Sequence, residues 1–160
     1  MHRPGKSIKN KIELINKQTQ DSIKYASLIQ SAIIPSKDDY QNFFAESFIL
    51  WQPKNIVGGD IYILDVLKNN NECISMVIDC TGHGVPGAFV TMLVKAIERH
   101  ILTNLSSITG KINVSNILSD FNKELKKILK QEGDSKVLSN VGFDGAIIYV
   151  NKKEKIIKYF

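Results

Sequence analysis

The chain has 160 residues, 43% of them hydrophobic and 23% charged, which is the size and composition of one globular domain able to bury a core without disulfides or structural metal. Its net charge of +5 comes from scattered lysines and not from a basic arm interleaved with aromatics, so nucleic acid is excluded as the expected partner. No apolar run approaches the roughly 18 residues that span a bilayer, MHRPGKSIKN has no signal-peptide core, and Cys73 and Cys80 lack zinc spacing, so a cytoplasmic chain with reduced thiols and no membrane contact is expected.

Residues 7 to about 34 carry Ile8, Ile12, Ile15, Ile23, Ala26, Ile29 and Ile33 at spacings near three and four, which predicts an amphipathic helix. The polar stretch Asn16 to Ser22 interrupts its stripe, and Pro35 stops it. Such a helix must dock on its own domain or pair with a second copy. Phe48 to Trp51 reads as a short apolar strand ended by Pro53. Asp60–Leu67 and Glu72–Asp79 read as two strands of a hairpin turning at Lys68-Asn69-Asn70-Asn71, because asparagine tolerates positive φ.

After a glycine-punctuated loop, a helix is expected from about Pro86 to Leu102, with Phe89, Leu93, Ala96, Ile97 and Ile101 on its apolar face. Gly110 closes the connection. Ser115 caps a further helix, Asn116–Lys130, and Gly133 ends it. Ala146–Val150 and Lys155–Tyr159 read as a final hairpin turning at Asn151-Lys152-Lys153-Glu154. Strands joined by hairpins and alternating with helix pairs give an α+β class.

The first hairpin carries a geometric consequence. A turn centred between Asn69 and Asn70 makes opposed residue numbers sum to a constant, so Asp60 faces Asp79. Opposed side chains have Cβ atoms about 5 Å apart, and two carboxylates there repel unless a cation lies between them. A hard divalent ion is the usual reason for such a pair. Aspartates at strand ends also cap turns, and a one-residue slip would part the two. One face of the hairpin carries Tyr62, Leu64, Val66, Val77, Ser75 and Cys73. The other carries Ile61, Ile63, Ile74, Met76 and Ile78, with Asp65 the exception. Both faces are mostly apolar, so layers are expected on both.

Gly58-Gly59 precede Asp60, and Gly82-His83-Gly84 follow Asp79; such glycines let backbone approach an ion or phosphate closely, or simply make turns. Gly82-His83-Gly84-Val85-Pro86-Gly87 has the form of a dinucleotide fingerprint. The expected antiparallel pairing of the preceding strand, and the lack of an acidic strand end in Leu105–Thr109, count against nucleotide binding. Cys80 has no following arginine in a phosphate-cradling loop, so it is not read as a nucleophile.

Val57-Gly58-Gly59-Asp60-Ile61-Tyr62 and Ile78-Asp79-Cys80-Thr81-Gly82-His83-Gly84-Val85-Pro86-Gly87-Ala88 resemble the bacterial metal-dependent protein phosphatases (PPM family, 2C type), in the branch that includes the sporulation stage II E phosphatase, RsbU and SiaA. Ser22 to Pro35 looks like the linker helix that leads into that domain. The resemblance covers roughly residues 20 to 160. It implies a four-layer αββα sandwich of antiparallel sheets, with a linker or regulatory helix over 1–35 and a catalytic domain over 36–160 that is incomplete at its C-terminus. It implies two Mn²⁺ or Mg²⁺ ions held by Asp60, Asp79 and the backbone carbonyl of Cys80. On the residues alone, Lys54 is a candidate to hold a phosphate near Gly59 and His83, against the plainer reading of a surface lysine and a structural loop histidine. It implies hydrolysis of phosphoserine or phosphothreonine on a regulatory protein, in this branch a STAS-domain anti-sigma-factor antagonist. The chain would be the output domain of a larger sensor, with the N-terminal helix able to form a homodimer. Family domains continue past a strand like Ile156–Phe160 to supply a further metal-binding aspartate. Asp144-Gly145 does not match that motif and takes no ligand role from it. Ile63 stands where the family often has a polar or aromatic residue. The alternative is an inactive phosphatase-like domain serving as a binding or dimerisation module.

Overall fold

A computed structural model describes residues 4–67, 70–105, 112–131 and 140–160. Helix α1 spans Pro4–Ile33 and α2 spans Lys37–Phe43. Strands β1 (Asp60–Val66) and β2 (Glu72–Cys80) follow. Helices α3 (Gly84–Leu105) and α4 (Val114–Ile128) lead to β3 (Phe143–Asn151) and β4 (Ile156–Tyr159). The strands form one antiparallel sheet in the order β1-β2-β3-β4, so both chain neighbours of β2 are also its partners in space.

The first hairpin has the register the turn chemistry predicts, Asp60 opposite Asp79 through Val66 opposite Cys73. The Asn70 N–H donates to the Leu67 carbonyl at 2.9 Å, and Asn70 takes φ +52°, the left-handed conformation asparagine tolerates. Lys68 and Asn69 of that turn, and Gly110 and Gly133, lie outside the described residues.

Ile61, Ile63, Ile74, Met76, Ile78, Ile147 and Tyr149 point to one face of the sheet. There they bury against Val90, Val94, Ile97 and Ile101 of α3 and Ile117, Phe121 and Leu125 of α4. The other face is only partly covered. Cys73 is buried there, but Val77 is 65% exposed and Ile148 43% exposed. The α+β class stands, and among the described residues it consists of one sheet with α3 and α4 packed on one face and the short α2 against part of the other, where the Tyr40 hydroxyl lies 3.1 Å from that of Ser75. The second sheet and outer helices of the expected four-layer sandwich are not among them.

Several local expectations are corrected. Helix α1 starts at Pro4, ahead of the expected residue 7, and runs for 30 residues through the polar stretch Asn16 to Ser22, which interrupts the apolar stripe and not the helix; straight-chain polar residues such as lysine and glutamine are good helix formers. Helix α2 was not expected. Ser36 starts it with a capping box: its hydroxyl accepts from the Asp39 N–H, and the Asp39 carboxylate accepts from the Ser36 N–H. Phe48 to Trp51 forms no strand and pairs with none among the described residues, so the apolar run makes no ladder. Helix α4 begins at Val114 and is capped by Asn113 instead of Ser115; the Asn113 side-chain oxygen accepts from the Ser115 N–H at 3.1 Å. Strand β3 starts at Phe143, three residues before the apolar run, because its entry pairs with the end of β2.

Candidate metal centre

Asp60 opens β1 and Asp79 lies one residue from the end of β2, so the register sets both carboxylates at one end of the open face. They touch. Burial first, then the hydrogen bond and charge of Asp79, raise the Asp60 carboxyl above its ordinary range. No lysine or arginine forms an ion pair with either among the described residues. An unneutralised carboxylate pair at a strand end is a donor set for a hard divalent cation.

The backbone around the pair is drawn in tightly. The Cys80 N–H donates to the Gly59 carbonyl at 2.9 Å. A Cβ on Gly59 would lie 2.5 Å from the Gly82 carbonyl oxygen and 2.8 Å from that of Cys80, so only glycine fits. Gly87, in the first turn of α3, meets the same spot: its Cβ would lie 2.6 Å from the Gly82 oxygen and 2.9 Å from the Gly59 Cα. The Gly58-Gly59 pair and the loop after Asp79 are thus pressed together beside the carboxylates. Carboxylate and carbonyl oxygens are the kind of donor that hard divalent cations take. Among the described residues no three His, Cys, Asp or Glu side chains gather closely enough to hold an ion on their own.

The other expected site residues are placed as follows. Gly59 is part of the crowded backbone just described. His83 is exposed, and its Nδ1 lies 3.4 Å from the Asn55 side-chain nitrogen, which ties the loop before β1 to the loop after β2. Lys54 is exposed on the first of those loops and forms no ion pair among the described residues. Cys80 has a buried thiol pushed up to about 12, by burial first and then by the charges of Asp79 and Asp60. A thiol held that far up is not a nucleophile at neutral pH, so only the backbone of Cys80 is available to the site. The dinucleotide reading of Gly82–Gly87 fails on topology, since β2 is antiparallel to both its neighbours and the fingerprint needs a parallel βαβ unit.

Three features were not anticipated. Gln30 of α1 is 1% exposed and reaches across to the glycine pair. Its Nε2 donates to the Gly58 carbonyl and to the Thr91 hydroxyl, each at 2.8 Å, while its Oε1 accepts from the Gly58 N–H at 3.1 Å. Thr91 in turn donates to the Ala88 carbonyl at 2.8 Å, so α1, α3 and the Asp60 segment share one saturated network. No sequence signal marks Gln30, because helical periodicity treats a polar residue as solvent-facing. Trp51 donates its indole N–H to the Asp60 carbonyl at 3.3 Å and sits edge-on to Tyr62. With Tyr40, Tyr62, Ser75 and Val77 it lines a cavity of about 280 Å³ that opens beside Asp60. Third, β3 places Asp144 directly opposite Asp79.

No protein-family model matches the chain, and no curated protein matches it. Among solved structures it is similar to the SiaA-PP2C domain of Pseudomonas aeruginosa, at 30% identity and a TM-score of 0.75 over 91% of this chain. The match covers 54% of that chain, so the present chain spans about half its length. It is also similar, at 17% identity and a TM-score of 0.47, to the RsbU and RsbW domains of Rv1364c from Mycobacterium tuberculosis, over 66% of this chain and 25% of that one; a likeness so distant carries no weight. No helix among the described residues is long and apolar enough to cross a membrane. The fold, the glycine-framed aspartates and the SiaA-type neighbour agree, and the chain has a partial 2C-type (PPM) phosphatase fold like that of the SiaA domain.

Proposed function

We propose that the chain is the half of a serine/threonine protein phosphatase domain that carries the first metal-binding carboxylates. Asp60, Asp79 and the Cys80 carbonyl would hold Mn²⁺ or Mg²⁺. The observation that carries this reading is the contact between Asp60 and Asp79 at the end of an open sheet face, with no lysine or arginine ion-paired to either among the described residues. Divalent ions held there would lower the pKa of a coordinated water and neutralise phosphate oxygens. The chain's own part is to fix the two carboxylates in register, hold Gly59 and the Cys80 carbonyl against them, and keep the Cys80 thiol protonated. Asn55 and His83 stand on the adjoining loops, where a phosphate would enter, and exposed Lys54 can reach an anion there. The substrate would be phosphoserine or phosphothreonine on a small regulatory protein of the STAS type.

The experiment is hydrolysis of a phosphoserine protein by the full-length protein with and without Mn²⁺. Activity that needs the ion and is lost in Asp79→Asn supports the reading. Metal-independent hydrolysis, or none, overturns it.

A second reading has its own observation. On the first half of α1, Ile8, Ile12 and Ile15 are 61%, 53% and 51% exposed at helical spacing, which is a seam without a partner among the described residues. It fits pairing with a second copy of the chain. Light scattering on Ile12→Glu/Ile15→Glu tests it: a dimer converted to monomer supports the pairing, and an unchanged size refutes it.

A further inference from the structure

We infer that Trp51 is a positioning residue for Asp60, anchoring its backbone carbonyl on the side of β1 that the ladder leaves free. The inference rests on the metal-dependent reading above and adds to it a residue that touches neither ion nor substrate.

The hairpin ladder sets the need. The Cys80 N–H donates to the Gly59 carbonyl at 2.9 Å, and the Leu67 N–H donates to the Glu72 carbonyl at 2.9 Å. The odd-numbered residues on this side of the hairpin are therefore the ones bonded to β2, and Asp60 with Asp79 is a non-hydrogen-bonded pair. Opposed residues lie closest in such a pair, with Cα atoms about 4.5 Å apart, so the two carboxylates sit where their repulsion is strongest. The Asp60 carbonyl points away from β2, and β1 is an edge of the sheet, so no strand takes that carbonyl up among the described residues. Asp60 is also the first residue of β1 and follows Gly58-Gly59, which brings the most backbone freedom of any residue pair. Gln30 restrains Gly58 and not Asp60.

Trp51 supplies the missing restraint. Its indole N–H, a donor with no acceptor role, reaches the Asp60 carbonyl at 3.3 Å. Holding that carbonyl fixes the peptide plane between Asp60 and Ile61, and with it the direction in which the Asp60 side chain leaves the strand. The indole is itself held in place. It meets Tyr62 edge-on, with ring centroids 6.2 Å apart and planes at 77°. Tyr62 donates its hydroxyl to the Pro35 carbonyl at 3.1 Å and packs edge-on against Tyr40 at 6.0 Å. Trp51 is thus bonded to the backbone of Asp60 and braced by the side chain two residues further along the same strand.

The test is Mn²⁺ binding to the full chain by calorimetry, with urea midpoints of the ion-free chains measured alongside. Trp51→Phe keeps an aromatic ring against Tyr62 and removes the N–H. Trp51 replaced by benzothienylalanine keeps the fused-ring shape and removes the N–H alone, so it carries the test if Trp51→Phe folds poorly. Tyr62→Phe is the control: it breaks a hydrogen bond in the same aromatic row and leaves the Asp60 carbonyl bonded. Loss of an outer partner of a metal ligand costs roughly ten- to a hundredfold in affinity, and a bond near the long end of the normal range belongs at the lower figure. Both Trp51 variants should therefore bind Mn²⁺ about tenfold more weakly, while Tyr62→Phe binds as wild type does and its urea midpoint falls at least as far as theirs. Equal weakening in Tyr62→Phe and the Trp51 variants overturns the inference, because the aromatic row would then act through general stability. Trp51 variants that bind as wild type does, with binding lost in Asp79→Asn, also overturn it and leave the carboxylate pair standing. A wild-type chain that binds no Mn²⁺ overturns both this inference and the metal-dependent reading.

Discussion

Replacing Gln30 by leucine keeps the side chain's approximate volume and removes all of its hydrogen bonds. In the native chain one amide nitrogen serves the Gly58 carbonyl and the Thr91 hydroxyl, and the amide oxygen serves the Gly58 N–H. Thr91 keeps its bond to Ala88 after the change, so the loss falls on Gly58, whose N–H and C=O are left buried without partners. Each orphaned group costs about 1–3 kcal/mol, and the added apolar burial of leucine offsets part of it, which leaves a net loss of about 2–4 kcal/mol. Urea unfolding followed by far-UV circular dichroism should show the midpoint falling by roughly 1 M or more at an unchanged slope. Gln30→Glu should be worse at neutral pH, because it buries a charge and still cannot donate to Gly58, and it should recover as the pH falls and the carboxyl takes up a proton. A Gln30→Leu variant within about 0.5 kcal/mol of wild type, the range of an ordinary surface change, would refute the claim that this network holds the glycine pair.

Gly59→Ala should destabilise the fold by about 1–3 kcal/mol, since its methyl meets two backbone oxygens that have no room to yield, and it should weaken Mn²⁺ binding measured by calorimetry. Glu98 is buried on α3 beside Lys95, at 2.9 Å, with Arg99 on the same helix and Asp65 on β1 also facing it. Burial, the leading cause, holds its carboxyl above the ordinary 4.5, so the folded state binds that proton more tightly than the unfolded state does. Its contribution is therefore fully present below about pH 4.5 and is lost as the pH rises through the folded value. Glu98→Gln should flatten that dependence in urea melts taken from pH 4 to 7. Cys73, raised by burial to about 11, and Cys80, raised to about 12, should resist thiol reagents at pH 8 in the folded chain and react in urea.

The first hairpin was legible because its parts agree. The four-residue polar turn, the alternation of β1 and β2, and the aspartates at their ends all specify one register, and Asp60 meets Asp79 in it. The helices α3 and α4 were legible too, with their starts misplaced by a turn or less, but the expected α3 stripe was partly wrong: Phe89 and Ala96 are exposed, and Val90 and Val94 are buried with Ile97 and Ile101. Phe48–Trp51 misled because apolar, β-prone residues show only that a segment prefers extended backbone, and a strand needs a neighbour. Asp144 was passed over because the pairing of β2 with β3 joins residues 65 apart in sequence across two helices, and no local pattern encodes that register. Gln30 was invisible in a different way. Its partners are backbone groups of a distant glycine, and amphipathic periodicity treats a polar residue as solvent-facing by default.

Asp60 and Asp79 come from a single hairpin, which bears on how the donor pair forms. Only a short loop has to close to bring them together, so the entropy of assembling the pair is small and is lost early, before α4 and β3 must find their places. The pair should therefore outlast much of the tertiary structure, and refolding intermediates that keep the β1–β2 ladder should already interact with divalent ions. By contrast, β3 takes its register beside β2 only once the long excursion through both helices has docked.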